Sequence, residues 1–331
     1  MSTATANRPD TINGLADAVF PAMAMLAGMK LDLFTPLGNG PMTTQEIAGE
    51  IGVPHRQLGP LLYALVEANL LTVENDRFSN TDEAAQFLVK SVPGYVGARH
   101  LSFSRQWSGL VKTADSIRTD SPQARLDFSS MSPEELDNFY SGSYTGALAA
   151  GEDLVKRYDF TSYHRLVDVA GGSGGVAVGI TESCPNMQAT VVDLPSTISH
   201  TRRYLDAAGA SNRVGAHGAN VVESRVPGSY DVAVLRNIIQ VLSPEHSQRA
   251  LRHVYQSMES GGAIFILGTI LDNSRLTPSY AVKSNLTYLN IYDDGRAYTE
   301  GEYRGWIEEA GFVDFEREIV PDGTSIIKAR K

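Results

Sequence analysis

The spacing of apolar and polar positions changes near residue 160, and the change predicts two different architectures. Before it, residues 11–157 read as almost entirely helical. Residues 12–31 are rich in Ala, Met and Leu with few charges, so a helix there is apolar around much of its girth. Such a helix is buried or lies in a subunit interface. Further on, Thr44 is placed to cap a helix that Gly52 breaks, residues 55–69 predict a second helix, and residues 70–80 a short hairpin. Two helices followed by a hairpin make a winged helix. After residue 160, strand-like runs at 165–169, 189–193, 213–216, 231–235, 263–267, 313–318 and 324–328 alternate with helical patterns near 175–184, 196–208, 244–258 and 299–310. That alternation predicts a parallel sheet covered on both faces. Only the turn Pro321-Asp322-Gly323 joins the last two strands, which predicts an antiparallel hairpin at one edge. The expected domains are therefore 1–157 and 158–331, with no internal repeat and no low-complexity segment.

Composition narrows the possible partners. A chain of 331 residues, 42% hydrophobic and 20% charged, is ordinary globular material of about two domains. Its net charge of −10 argues against nucleic acid. The winged helix alone would suggest DNA binding. Its second helix, however, presents only His55, Arg56 and Gln57 near its start, so affinity for phosphate has no electrostatic source. A dimerisation module is the better expectation. No apolar run is read as transmembrane, and residues 1–10 lack a signal-peptide core. The single cysteine, Cys184, excludes an intramolecular disulfide and a cysteine-based metal site and is expected to be structural. The expectation is a cytoplasmic protein without metal or membrane partner.

The candidate chemistry sits at the start of the sheet. In Arg165-Leu-Val-Asp-Val-Ala-Gly-Gly-Ser-Gly-Gly175 an apolar strand enters a glycine-rich turn that opens a helix. Glycine tolerates positive φ and lets backbone N–H groups approach a ligand. About twenty residues on, a second strand ends in Asp193, whose carboxylate suits ribose hydroxyls. Asp168, Asp193 and Arg236 all fall at strand C-termini, where ligands of such sheets bind. Gly172-Ser-Gly174-Gly-Val-Ala177 also fits the dinucleotide fingerprint. The loop by itself therefore leaves the nucleoside open, and a plain glycine turn remains an alternative.

Landmarks in order along the chain resolve this. Tyr158-Asp159-Phe160, Asp168-Val-Ala-Gly-Gly-Ser-Gly174, Asp193-Leu194-Pro195, Leu235-Arg-Asn-Ile-Ile-Gln-Val-Leu-Ser-Pro-Glu-His246 and Thr299-Glu-Gly-Glu-Tyr303 with Ala310-Gly-Phe312 together resemble the S-adenosylmethionine-dependent O-methyltransferases of the caffeate and small-molecule type. The resemblance covers about residues 12–330. It implies a class I methyltransferase, a Rossmann-like seven-stranded α/β sheet with a terminal antiparallel hairpin, preceded by a helical winged-helix dimerisation domain. It also implies a homodimer and S-adenosylmethionine as cofactor. On this resemblance Gly171, Gly172 and Gly174 line the cofactor, Asp193 holds the ribose and Leu194 meets the adenine. Asn220 and Val221 stand where the family reads adenine, and Arg236 where a basic residue contacts the cofactor. Tyr140, Ser143 and Tyr144 are expected at its methionine end.

The chain departs from the family where acid–base chemistry belongs. Gln240 stands in place of the catalytic histidine, and Gly268 and Ala297 in place of its two glutamate partners. A neutral amide cannot act as general base. Three readings remain open. The nucleophile needs no deprotonation, or another residue (His100, His217, His246) is the base, or the cofactor is used without methyl transfer. Arg99, Arg105 and Trp107, with Asn285, Tyr288 and Tyr292, are expected to line the acceptor pocket, and aromatic faces there suit a cationic product. Base-free methylation of a thioether is the favoured reading. It is similar to the S-methylation of 4-methylthio-2-hydroxybutyrate in dimethylsulfoniopropionate synthesis, with an arginine on the substrate carboxylate.

Overall fold

In the computed structural model the described residues are 8–97, 100–101, 107–127 and 131–331, without the side chains of Pro133, Glu134, Asp137 and Asn138. Arg99 and Arg105 lie outside them. The chain forms two compact units, Met1–Trp107 and Ser108–Lys331.

In the first unit the expected single N-terminal helix is two, Asp10–Asp17 and Val19–Lys30. Pro21 explains the break, since its ring clashes with the carbonyl four residues back and it has no N–H to donate there. Ile12, Leu15, Val19 and Phe20 on these helices are exposed, Phe20 to 73%. By length and composition Asp10–Lys30 is apolar enough to cross a membrane, which corrects the reading that no segment is. Its exposed face equally suits contact with another protein surface. The winged module follows. Strands β1 (Met42–Thr43), β2 (Leu71–Glu74) and β3 (Arg77–Asn80) pair in the order β1-β3-β2. Thr43, not Thr44, caps the helix Thr44–Glu50, forming a reciprocal capping box with Glu46. Leu33, Phe34, Ile47, Leu62, Leu65 and Phe78 fill the core of this unit.

The second unit contains strands β4 (Arg165–Val169), β5 (Gln188–Asp193), β6 (Val214–Gly218), β7 (Tyr230–Arg236), β8 (Met258–Gly268), β9 (Ile270–Leu271), β10 (Tyr298–Thr299), β11 (Val313–Ile319) and β12 (Ser325–Arg330). Seven of them form one sheet in the order β11-β12-β8-β7-β4-β5-β6. Strands β4 to β8 pair in parallel, and the β11–β12 hairpin adds antiparallel at the β8 edge. The near-continuous apolar runs of β4 and β7 follow from burial on both faces. Cys184 packs against one of the two resulting cores.

Two helices matter for the site. The helix Pro133–Arg157 belongs to this second unit and crosses Gly175–Ser183 at very close range. A Cβ on Gly151 would stand 2.4 Å from the Val176 carbonyl oxygen, and one on Gly179 2.5 Å from that of Leu148. The helix Ser279–Ile291 was not legible in the sequence pattern, because its Ser, Asn, Thr and Tyr residues blur the apolar period. Asn290 anchors it, accepting from the Ser116 hydroxyl at 2.7 Å and donating to Thr113 at 2.9 Å.

Candidate active site

The turn after β4 is built on left-handed backbone. Ala170 and Gly172 have φ of 55° and Gly174 of 78°, after which the helix Gly175–Ser183 begins. The backbone is tightly enclosed. A Cβ on Gly171 would lie 2.6 Å from the Asp168 carboxylate, and one on Gly172 2.7 Å from the Tyr140 ring. Asp168 is fully buried; one carboxylate oxygen takes the Ala177 N–H at 3.3 Å, and Oδ1 has no hydrogen-bond partner. Burial pushes its carboxyl up to about 7; the neighbouring Asp193 adds to the rise, against the Ala177 N–H and Arg236.

Asp193 ends β5 and faces the same turn. Its two oxygens accept the N–H groups of Gly172 at 2.8 Å and Leu194 at 2.7 Å, and the Thr197 side chain also hydrogen-bonds to the carboxylate. Burial raises its carboxyl above the ordinary value in spite of those bonds. Tyr140 lies over Gly172, its hydroxyl 3.3 Å from the Thr197 hydroxyl, and burial pushes it up to about 12. Arg236 lies near the helix Pro133–Arg157, where a Cβ on Gly146 would be 3.7 Å from its Nη2. Burial lowers its affinity for the proton, while Asp168, Tyr280 and Asp322 work the other way.

Some expected cofactor residues are committed elsewhere. The Tyr144 ring stacks on Tyr204 at 5.3 Å, on the side of Glu182 and Arg213, while its backbone carbonyl would stand 2.9 Å from a Cβ on Gly175. The Ser143 hydroxyl donates back to the Tyr140 carbonyl at 3.2 Å within its own helix. The Val221 side chain belongs to the hydrophobic core. Asn220 uses its Oδ1 to accept the Val222 N–H at 3.0 Å, and its amide nitrogen keeps its donors.

Among the described residues, the side chains packed around Gln240 are uncharged. Gln240 is buried and donates from Nε2 to Asn237 Oδ1 at 3.0 Å. Gly268 faces it, since a Cβ there would come within 2.8 Å of Gln240 Oε1. Beside them the Tyr288 hydroxyl pairs with Thr269 at 2.8 Å, and burial pushes Tyr288 up to about 12. The Tyr292 ring lies 5.4 Å from that of Tyr288, and burial raises its hydroxyl too. Asn285 accepts the Ala297 N–H at 2.9 Å, a bond that fixes the loop where the family has a glutamate. Of the candidate bases, His217 is exposed on β6, His246 sits in the first turn of a helix capped by Ser243, and His100 and Trp107 fall within the first unit. Among the described residues no group of three or more His, Cys, Asp or Glu could hold a metal ion.

Sequence reasoning gave no role to two residues that the geometry singles out. Asp168 was visible only as an acid at a strand end. Asn237, at φ 60° directly after β7, carried the mild signal that asparagine tolerates this conformation. The turn also fits an S-adenosylmethionine moiety. Asp168 Oδ1 needs a donor, Asp193 keeps one acceptor site beyond its bonds to Gly172, Leu194 and Thr197, and the enclosed glycine backbone admits no side chain.

Known proteins resemble this chain over most of its length. It matches the O-methyltransferase domain over residues 124–313 and the O-methyltransferase dimerisation domain over residues 14–90. It is similar to 3-hydroxy-5-methyl-1-naphthoate 3-O-methyltransferase of Streptomyces sahachiroi, 26% identical over 308 residues, 92% of this chain and 89% of that protein. N,N-dimethyltransferase OxyT of Streptomyces rimosus is likewise 26% identical over 308 residues, 90% of this chain and 89% of its own. The solved structure of PigF with SAH has a TM-score of 0.84 at 22% identity, covering 98% of this chain and 100% of PigF.

Proposed function

The chain belongs to the O-methyltransferase family and is a methyltransferase that uses S-adenosylmethionine, and from that premise we propose that it methylates a neutral nucleophile of a small molecule without removing a proton. One observation carries the reading. On the resemblance Gln240, Gly268 and Ala297 would stand at the acid–base positions, and the described side chains around Gln240 (Asn237, Thr269, Tyr288) are uncharged. General-base assistance is worth about 100- to 10,000-fold, so a phenol would suffer from its loss and a neutral amine or thioether would not.

The cofactor supplies an activated methyl group on a sulfonium. Asp193 would hold its ribose hydroxyls, Asp168 its ammonium and Arg236 its carboxylate. Those pairings use the charges of Asp168, Asp193 and Arg236, and the described side chains around Gln240 offer the acceptor dipoles and rings. An amine acceptor draws support from the likeness to an N,N-dimethyltransferase. A thioether acid such as 4-methylthio-2-hydroxybutyrate is the second reading, since sulfur also needs no base. Its carboxylate would require a further cation, for which the sequence offers Arg99 and Arg105. The exposed apolar face on Asp10–Lys30, within the dimerisation domain, would be covered by a second copy in a homodimer.

Labelled S-adenosylmethionine incubated with N,N-dimethylaniline, 4-methylthio-2-hydroxybutyrate and 2-naphthol tests the proposal. Label is expected in the ammonium or sulfonium product. Label confined to the naphthyl ether would overturn it.

A further inference from the structure

The geometry of Gln240 is specific. The amide is buried, Nε2 donates to Asn237 Oδ1 at 3.0 Å, and Oε1 lies against Gly268. Asn237 is itself held, at φ 60°, by its backbone N–H on the Leu267 carbonyl at 2.8 Å. The neighbouring Tyr288 hydroxyl pairs with Thr269 at 2.8 Å and also interacts with the side chains of Gln240 and Ser284. A side chain at position 268 would collide with Oε1, so the glycine is what gives the carbonyl its room.

We infer that the Gln240 carbonyl stabilises positive charge arising on the acceptor atom, and that Asn237 is the positioning residue that turns it there. The inference rests on the base-free reading above and names the substrate class of that site: a nitrogen or sulfur nucleophile that is neutral before transfer and cationic after it. The acceptor lone pair forms the bond to the methyl carbon, and the former carbon–sulfur pair stays with the cofactor sulfur. No proton leaves in that step, and one unit of positive charge passes to the acceptor. A fixed carbonyl dipole meets that charge as it develops and does not titrate. A histidine in the same place could be protonated and would then repel it. A carboxylate would hold a cationic product.

The test separates this inference from the base-free reading by measuring binding rather than turnover. Choline and its neutral isostere 3,3-dimethylbutan-1-ol are titrated into protein saturated with S-adenosylhomocysteine. The unaltered protein is expected to prefer choline at least tenfold. Gln240→Leu should bring the ratio close to one with alcohol binding retained. Asn237→Gly keeps the backbone conformation but removes the acceptor, and should lose most of the preference. Asn237→Asp, which can only accept from Nε2, should keep it. Affinity for S-adenosylhomocysteine reports that each variant is folded, and Asn237→Ser replaces the glycine variant if that one does not fold. A ratio near one in the unaltered protein, or full preference in Gln240→Leu, overturns the role of the carbonyl. Full preference in Asn237→Gly overturns the role of Asn237. The base-free reading instead fails in the acceptor panel, whatever these ratios are.

Discussion

Replacing Asp168 by Asn isolates the electrostatics of the glycine turn. In the folded protein without ligand, burial holds this carboxyl at about 7, against an ordinary value of 3.8. The raised value means that the folded state binds a proton more tightly than the unfolded chain. The associated stability is therefore complete below the ordinary value and is lost as pH rises through about 7. A gap of about three units corresponds to roughly 4 kcal/mol, an upper bound for a buried group. Ligand binding reverses the preference, because an ammonium beside Oδ1 requires the ionised form. At pH 6 about a tenth of the carboxyl is ionised and at pH 8 about nine tenths, so affinity should rise roughly tenfold over that range, about 1.4 kcal/mol. Calorimetric titration of S-adenosylhomocysteine at pH 6, 7 and 8, in two buffers of different ionisation enthalpy, reads both the affinity and the released proton. Asp168→Asn should bind more weakly at pH 8 and lose the slope. Flat affinity in the unaltered protein, or an undiminished slope in the variant, would refute the assignment of Asp168 to the ammonium.

Three further outcomes follow from the same geometry. Gly172→Ala forces a side chain to φ 55° and sets its Cβ 2.7 Å from the Tyr140 ring; left-handed strain alone costs about 1–2 kcal/mol, so a lowered melting midpoint and at least tenfold weaker S-adenosylhomocysteine binding are expected. Asp193→Asn leaves one of two backbone N–H groups, on Gly172 or Leu194, without an acceptor; roughly 1–3 kcal/mol should be lost, measurable by denaturant unfolding and cofactor titration. Phe20→Glu places a charge on the exposed apolar face, and light scattering after size exclusion is expected to find a dimer for the unaltered protein and monomer for the variant.

The sequence by itself determined what depends on local pattern. Strand β4 was legible residue for residue, and the other sheet strands to within a few positions, because burial on both faces leaves apolar runs that few other elements contain. The edge hairpin was legible from Pro321-Asp322-Gly323, and the nucleoside turn from its glycines. Local pattern also singled out Gln240 and Gly268, which face each other. It could not say which polar groups are already spent. The Tyr144 ring stacks on Tyr204, and the Ser143 hydroxyl donates to the Tyr140 carbonyl of its own helix. Nor could it find the unpaired oxygen of Asp168, or the turn of the Gln240 amide by Asn237. Whether a buried donor or acceptor is satisfied depends on atoms brought from distant segments to within about 3 Å, and only the tertiary structure decides that.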